Sequence, residues 1–200
     1  MKILLTGFEP FGKYNENSSW VAAEKVATQD FFCVDVVLKQ MPVSFAGVAK
    51  ALRDAVEECN PAAVVMLGQA ANIDYIKLER IAINMMDAAA ADNDGYIADE
   101  EPISIDGAAA LFTNVDVKAL CRAVEEQGIP AKVSNSAGLY VCNRIYYEAL
   151  QLCGERPGMK ALFVHLPFYT GQLPVAEGKP SMPLDTIIKA VEIVINEIGK

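Results

Sequence analysis

Two residues stand where chemistry could be done. Cys142 follows Ser134-Asn135-Ser136-Ala137-Gly138-Leu139-Tyr140-Val141, and His165 comes at the end of the apolar run Ala161-Leu162-Phe163-Val164. Small and polar residues, then apolar ones at helical spacing (Ile145, Tyr146, Ala149, Leu150), read as a strand end, a tight loop and a helix start. Cys142 falls in the first turn or two of that helix, where the dipole favours an anion, so the thiol is expected to ionise readily. Judged alone, a helical Cys is more often a small buried hydrophobe. His165 is the only histidine of the chain. A histidine at a strand's C-terminal end and a cysteine at a helix start suit a thiol nucleophile and its base. Such a pair needs a third group to hold the imidazole, and spacing does not single one out among 26 acidic residues and the Asn and Gln side chains.

Other chemistries find less support. A zinc site of His/Cys type needs clustered ligands, whereas the five cysteines (Cys33, Cys59, Cys121, Cys142, Cys153) are scattered with no C-x-x-C pair. No G-x-G-x-x-G or G-x-x-x-x-G-K-[ST] follows a strand, which speaks against a nucleotide fold. Neither a metal nor a cofactor is expected. A net charge of −9 makes nucleic acid and anionic membranes poor partners. An odd number of unpaired cysteines points to a reducing compartment. The apolar start, Met1 to Leu5, is too short for a signal peptide, and no stretch approaches a membrane span. A cytoplasmic protein is expected.

The elements that must position Cys142 and His165 follow from patterning. Two hundred residues with 52% apolar content suit a single domain, 1–200, and no linker or repeat divides the chain. Strands are expected over Lys2–Thr6, Phe32–Gln40, Ala62–Leu67, Ala131–Ser134 and Lys160–Leu166. A further strand over Tyr75–Asn84 has its alternation broken near Glu79-Arg80, as a bulge would do; Glu79 by itself reads as a solvated strand carboxylate. Helices are expected after the caps Asn17-Ser18-Ser19, Ser44, Asp116 and Asp185, and from the Cys142 region to a stop at Gly154. Thr170 to Pro183 reads as a long loop. Alternating strands and helices imply a largely parallel sheet covered on both faces. Two loops could line a site: Gly7-Phe8-Glu9-Pro10-Phe11-Gly12, whose aromatics either close the core edge or face a pocket, and the polar turn Gly68-Gln69-Ala70 after a buried strand.

In combination these motifs resemble the pyroglutamyl peptidase I family of cytosolic cysteine peptidases. The resemblance runs from Met1 into the last helix. It rests on Leu4-Leu5-Thr6-Gly7-Phe8-Glu9-Pro10-Phe11-Gly12, Gly68-Gln69-Ala70, and Glu79-Arg80-Ile81-Ala82-Ile83-Asn84 for a Glu-Arg-x-Ala-x-Asn pattern. It continues with Asp92-Asn93-x-Gly95, the Ser-x-x-Ala-Gly-x-x-x-Cys-Asn pattern over 134–143, and His165-Leu166-Pro167, all in the family's order.

The resemblance implies a three-layer α/β/α sandwich with a mixed, largely parallel central sheet, often assembled as a homotetramer. It implies removal of N-terminal pyroglutamate (5-oxoproline) from peptides by a triad: Cys142 nucleophile, His165 base and acid, Glu79 orienting His165. Phe8 and Phe11 would wall the lactam ring, with Asn17 and Gln69 as polar contacts of the pocket. The chain departs from the family at Asn72-Ile73, where Gly-Arg is usual, and at Asp87-Ala88-Ala89-Ala90-Ala91-Asp92-Asn93, where Asp-Ala-Arg-Ile-Pro-Asp-Asn is usual. An arginine is thus missing at Ala89. Two other readings stand beside an active peptidase: a divergent homologue, with altered specificity or binding pyroglutamyl ligands with little catalysis, and, from fold class alone, a nucleoside phosphorylase-type enzyme.

Overall fold

Four segments buried along almost their whole length make the centre of the molecule. In the computed structural model, which describes residues 1–172 and 177–200, they are β1 (Lys2–Phe8), β3 (Ala63–Gln69), β4 (Ile76–Glu79) and β8 (Lys160–Leu166). With β2 (Asp35–Met41) and β7 (Ala131–Ser134) at the edges they form a six-stranded sheet in the order β2-β1-β3-β8-β4-β7. All neighbours are parallel except β4 and β8, which run antiparallel. Strands buried on both faces must carry apolar residues on both, which is why Ala63–Leu67 reads as a continuous run.

Helices cover the two faces. On one lie α1 (Ser18–Ala27), α3 (Val117–Glu125) and α5 (Leu184–Ile198), packed on Ile3, Leu5, Val65, Leu78 and Val164. On the other lie α2 (Val48–Cys59) and α4 (Val141–Glu155), packed on Leu4, Val64, Met66 and Phe163. The result is a three-layer α/β/α sandwich with a mixed central sheet. Ion pairs join the outer helices of the second face: Arg53 of α2 reaches Glu148 and Glu155 of α4, and Arg144 also holds Glu148.

Several local expectations need correction. The interruption at Glu79-Arg80 is no bulge. The chain leaves the main sheet there, and β5 (Ile81–Ile83) pairs antiparallel with β6 (Ala110–Phe112) in a separate ribbon. Arg80 N–H still donates to Ser134 O, at 2.8 Å, as the last rung. Ser44 does not cap α2, which starts after Gly47; its Oγ accepts from Gly47 N–H and donates to Asp94. α4 passes through Gly154 to Glu155. Asp185 sits inside the first turn of α5, whose N-cap is Pro183. β2 begins only at Asp35; Phe32 lies outside it and is 92% exposed. The expected loop Thr170–Pro183 falls partly outside the described residues, and Ser181–Met182 (β10) pairs with Phe168–Tyr169 (β9) in a short parallel ladder.

Candidate active site

The reversed strand β4 sets up the central contact. In its register with β8, Lys77 lies opposite His165 and Glu79 opposite Phe163. Residues two apart share a face of a strand, so Lys77, Glu79, Phe163 and His165 all point toward the α4 side. Glu79 is therefore diagonal to His165, and its Oε1 lies 2.8 Å from His165 Nδ1. A carboxylate there fixes the tautomer: Nδ1–H donates, and Nε2 is left to act on another group. Glu79 is fully buried and its Oε2 meets no partner among the described residues. Its backbone carbonyl accepts from Tyr146 Oη of α4 at 2.8 Å. The solvated carboxylate that strand patterning suggested is instead an interior one.

Cys142 arrives from the opposite layer, at the second position of α4. Gly68 makes room for it. Gly68 is the register partner of His165, and a Cβ on it would sit 3.1 Å from Cys142 Sγ and 2.6 Å from the Phe163 ring. Only a bare backbone lets sulfur, ring and strand meet here. The Phe163 and His165 rings are 4.8 Å apart by centroid. Cys142 keeps some contact with solvent, yet burial pushes its thiol up to about 12, and the Glu79 charge adds to that; its own backbone N–H and Lys77 act the other way. The easy ionisation expected at a helix start is thus present as an influence and outweighed by desolvation.

Beside Cys142 opens a largely apolar cavity of about 50 Å³, and Phe8, Phe11, Asn17 and Gln69 are among its lining residues. Phe8 is buried and packs on Phe163, whereas Phe11 is half-buried against Tyr140. Gln69 Oε1 accepts from Ser18 N–H at 2.8 Å and from Gln172 Nε2 at 3.0 Å, so what it can offer the cavity is its amide N–H₂. Asn17 lines the cavity, but its side chain is occupied: Oδ1 caps α1 through Ser19 and Nδ2 donates to Glu9 O. Val43, Tyr140 and Val141 complete the lining and were not singled out by sequence. A hydrophobic residue immediately before the Cys motif was the available signal for the last two.

The remaining motif residues hold the walls in place. Glu9 Oε1 accepts from Val43 N–H and Asn93 Nδ2, at 3.0 and 2.8 Å. Buried Asp92 accepts from the N–H groups of Phe45, Asp94 and Tyr96. Asn143, fully buried, makes three bonds to the backbone of Ile83 and Met85 and so ties the start of α4 to β5. Tyr140, the N-cap residue of α4, gives no side-chain cap; its hydroxyl donates to Ala91 O at 2.9 Å. The first N–H groups of α4 are left to other acceptors. The alanines at 89–91 are exposed, and Ile73 is half-buried. Among the described residues no three His, Cys, Asp or Glu side chains gather as metal ligands, and no helix is long and apolar enough to cross a membrane.

Known proteins are similar to this chain along almost its whole length. The pyrrolidone-carboxylate peptidase of Thermococcus onnurineus is 41% identical over 197 residues, 98% of this chain and 97% of that protein. That of Thermococcus kodakarensis is 42% identical over 200 residues, 99% and 96% of the two. The crystal structure of pyroglutamyl peptidase I from Bacillus amyloliquefaciens superposes with a TM-score of 0.93 at 33% identity, over 99% of this chain and 96% of that one. Pyrrolidone carboxyl peptidase from Fervidobacterium islandicum gives 0.94 at 35%, over 99% and 98%. With the profile of the pyroglutamyl peptidase family matching residues 1–200, the chain belongs to that family and is a peptidase.

Proposed function

We propose that this peptidase hydrolyses the bond following an N-terminal pyroglutamate, with Cys142, His165 and Glu79 as its triad. The observation that carries the reading is the buried Glu79–His165 contact of 2.8 Å beside Cys142, at the edge of an apolar cavity. Pyroglutamate is a flat, neutral lactam. The aromatic walls of Phe8 and Phe11 match its faces, and a free ammonium in the same place would be buried without a partner. As Cys142 sulfur attacks the pyroglutamyl carbonyl carbon, its proton passes to His165 Nε2. The resulting oxyanion is held by the free N–H groups at the start of α4 and by the Gln69 amide. Imidazolium then gives its proton to the departing amine, the C–N bond breaks, and a thioester remains. Water, losing a proton to His165, attacks the thioester carbonyl; the C–S bond breaks and that proton returns to sulfur as pyroglutamic acid leaves.

The reactive form holds one proton shared between Cys142 and His165. Rate should therefore rise with pH as the pair loses its first proton and fall again as it loses the second. The falling limb lies on the alkaline side because burial raises the Cys142 thiol; a flat profile would contradict the pair. The deciding assay is release of chromophore from a pyroglutamyl amide by reduced protein. Turnover is expected, and Cys142→Ala should lower it by at least roughly a thousandfold with the fold intact. Binding of the pyroglutamyl amide without turnover would instead favour the divergent reading that the changes at Ile73 and Ala89 raise. The same resemblance supports a cytoplasmic homotetramer. Exposed Ile105 and Phe112 would be covered by such assembly, and light scattering would report the mass.

A further inference from the structure

One charged side chain next to the site has no role in the triad. Lys77 Nζ lies 3.2 Å from Glu79 Oε1, the same oxygen that meets His165, and 3.3 Å from the carbonyl of Ser136. Other lysines in described ion pairs are surface residues at least 36% exposed, whose pairs contribute little. The Lys77 side chain is 26% exposed and its partner is fully buried. A carboxylate without solvent needs a counter-charge, and a neutral imidazole does not provide one.

We propose that Lys77 is a positioning residue of this site: its ammonium balances the buried Glu79 charge that holds His165, and ties that carboxylate to the loop leading into Cys142. The surroundings leave this task to Lys77. From α4, Tyr146 offers Glu79 a neutral phenol, directed to the backbone carbonyl, and Cys142 offers a thiol. From β3 comes Gly68, without a side chain. From β7, Lys132 is the register partner of Lys77, but its ammonium sits 4.2 Å over the Tyr75 ring. With Lys77 the Glu79 pair is neutral when His165 is neutral. Without it the site carries one more negative charge, and both Cys142 and His165 hold their protons to higher pH. Lys77 already acts on the Cys142 thiol in the lowering direction.

Because His165 is the only histidine, its ring signals in an NMR titration read the site directly, whether or not the chain cleaves pyroglutamyl peptides. In a Cys142→Ala background, which removes the shared proton, Lys77→Met should move the His165 midpoint to higher pH. Lys77→Arg, keeping the charge, should leave it in place. If Lys77→Met does not fold, Lys77→Gln keeps a donor for Ser136 O and reads the same quantity. A midpoint unmoved by the neutral variants overturns the proposal, as does an equal move in the Arg variant, which would signify mere disturbance of packing. A second arm rests on the peptidase reading. With Cys142 present, Lys77→Met should shift both limbs of the pH–rate profile upward and lower turnover at neutral pH by roughly 3- to 30-fold. Limbs that stay in place while the rate falls would overturn it.

Discussion

Glu79 concentrates the demands of the site in one side chain. It is an interior carboxyl group, and one oxygen serves both His165 and Lys77 while the other has no partner among the described residues. Replacing it by Gln preserves shape but removes the charge that steadies an imidazolium. Turnover of Glu79→Gln should drop by roughly 10² to 10⁴, while the melting temperature should change little, since a buried charge is itself expensive. A rate within about twofold of the parent would remove Glu79 from the mechanism. Sequence patterning pointed the wrong way at this residue for an identifiable reason. Ile76 and Leu78 face the α1/α3 layer, so alternation assigns Lys77 and Glu79 to solvent. The sheet, however, is covered on both faces, and the polar stripe of β4 is a site under α4 and not a surface.

At the scale of elements, the site depends on close approach between layers. Gly68→Ala places a methyl group 2.6 Å from the Phe163 ring and 3.1 Å from Cys142 Sγ. Both must shift, at a cost of about 1–3 kcal/mol, and turnover should fall at least roughly tenfold because the sulfur moves with α4. Denaturant unfolding and a pyroglutamyl amide assay measure the two effects separately. Asn143→Ala removes three buried backbone bonds between α4 and β5, and unfolding should report a loss of about 2–4 kcal/mol. Local elements were the legible ones. The caps Asn17 and Asp116 bond their own helix N–H groups, so three or four adjacent residues suffice to mark α1 and α3. The reversal of β4 was not legible, because it is decided by pairing between Glu79 and His165 regions 86 positions apart. The motif resemblance supplied that link where periodicity could not.

For the molecule as a whole, unpaired thiols in the interior set a limit on the alkaline side. Burial raises Cys142 to about 12 and Cys153 to about 11, and it raises Cys59 and Cys121 as well. A thiol whose folded value lies above its unfolded one keeps its proton in the fold after the unfolded chain has lost its own. Its contribution is complete below the unfolded value, near 8.5, and is lost as pH rises toward the folded value. Thermal stability should therefore decline between about pH 9 and 11, and less steeply in Cys153→Ala than in the parent. A parallel decline in the two proteins would exclude Cys153 as a source.

The antiparallel pairing of β4 with β8 also limits how the chain can change in length. Side chains alternate between the two layers, so one residue added to or removed from β4 upstream of Lys77 would turn Leu78 toward α4 and drive both charges into the α1/α3 core. An addition two residues long would restore the facing but carry Glu79 past His165 along the strand. The connection from Thr28 to Val34, between α1 and β2, lies outside the main sheet and away from the site, and is under no such constraint. Among natural or engineered relatives of this chain, insertions and deletions should accumulate in that segment, and the stretch from Lys77 to Arg80 should keep its length even where its residues differ.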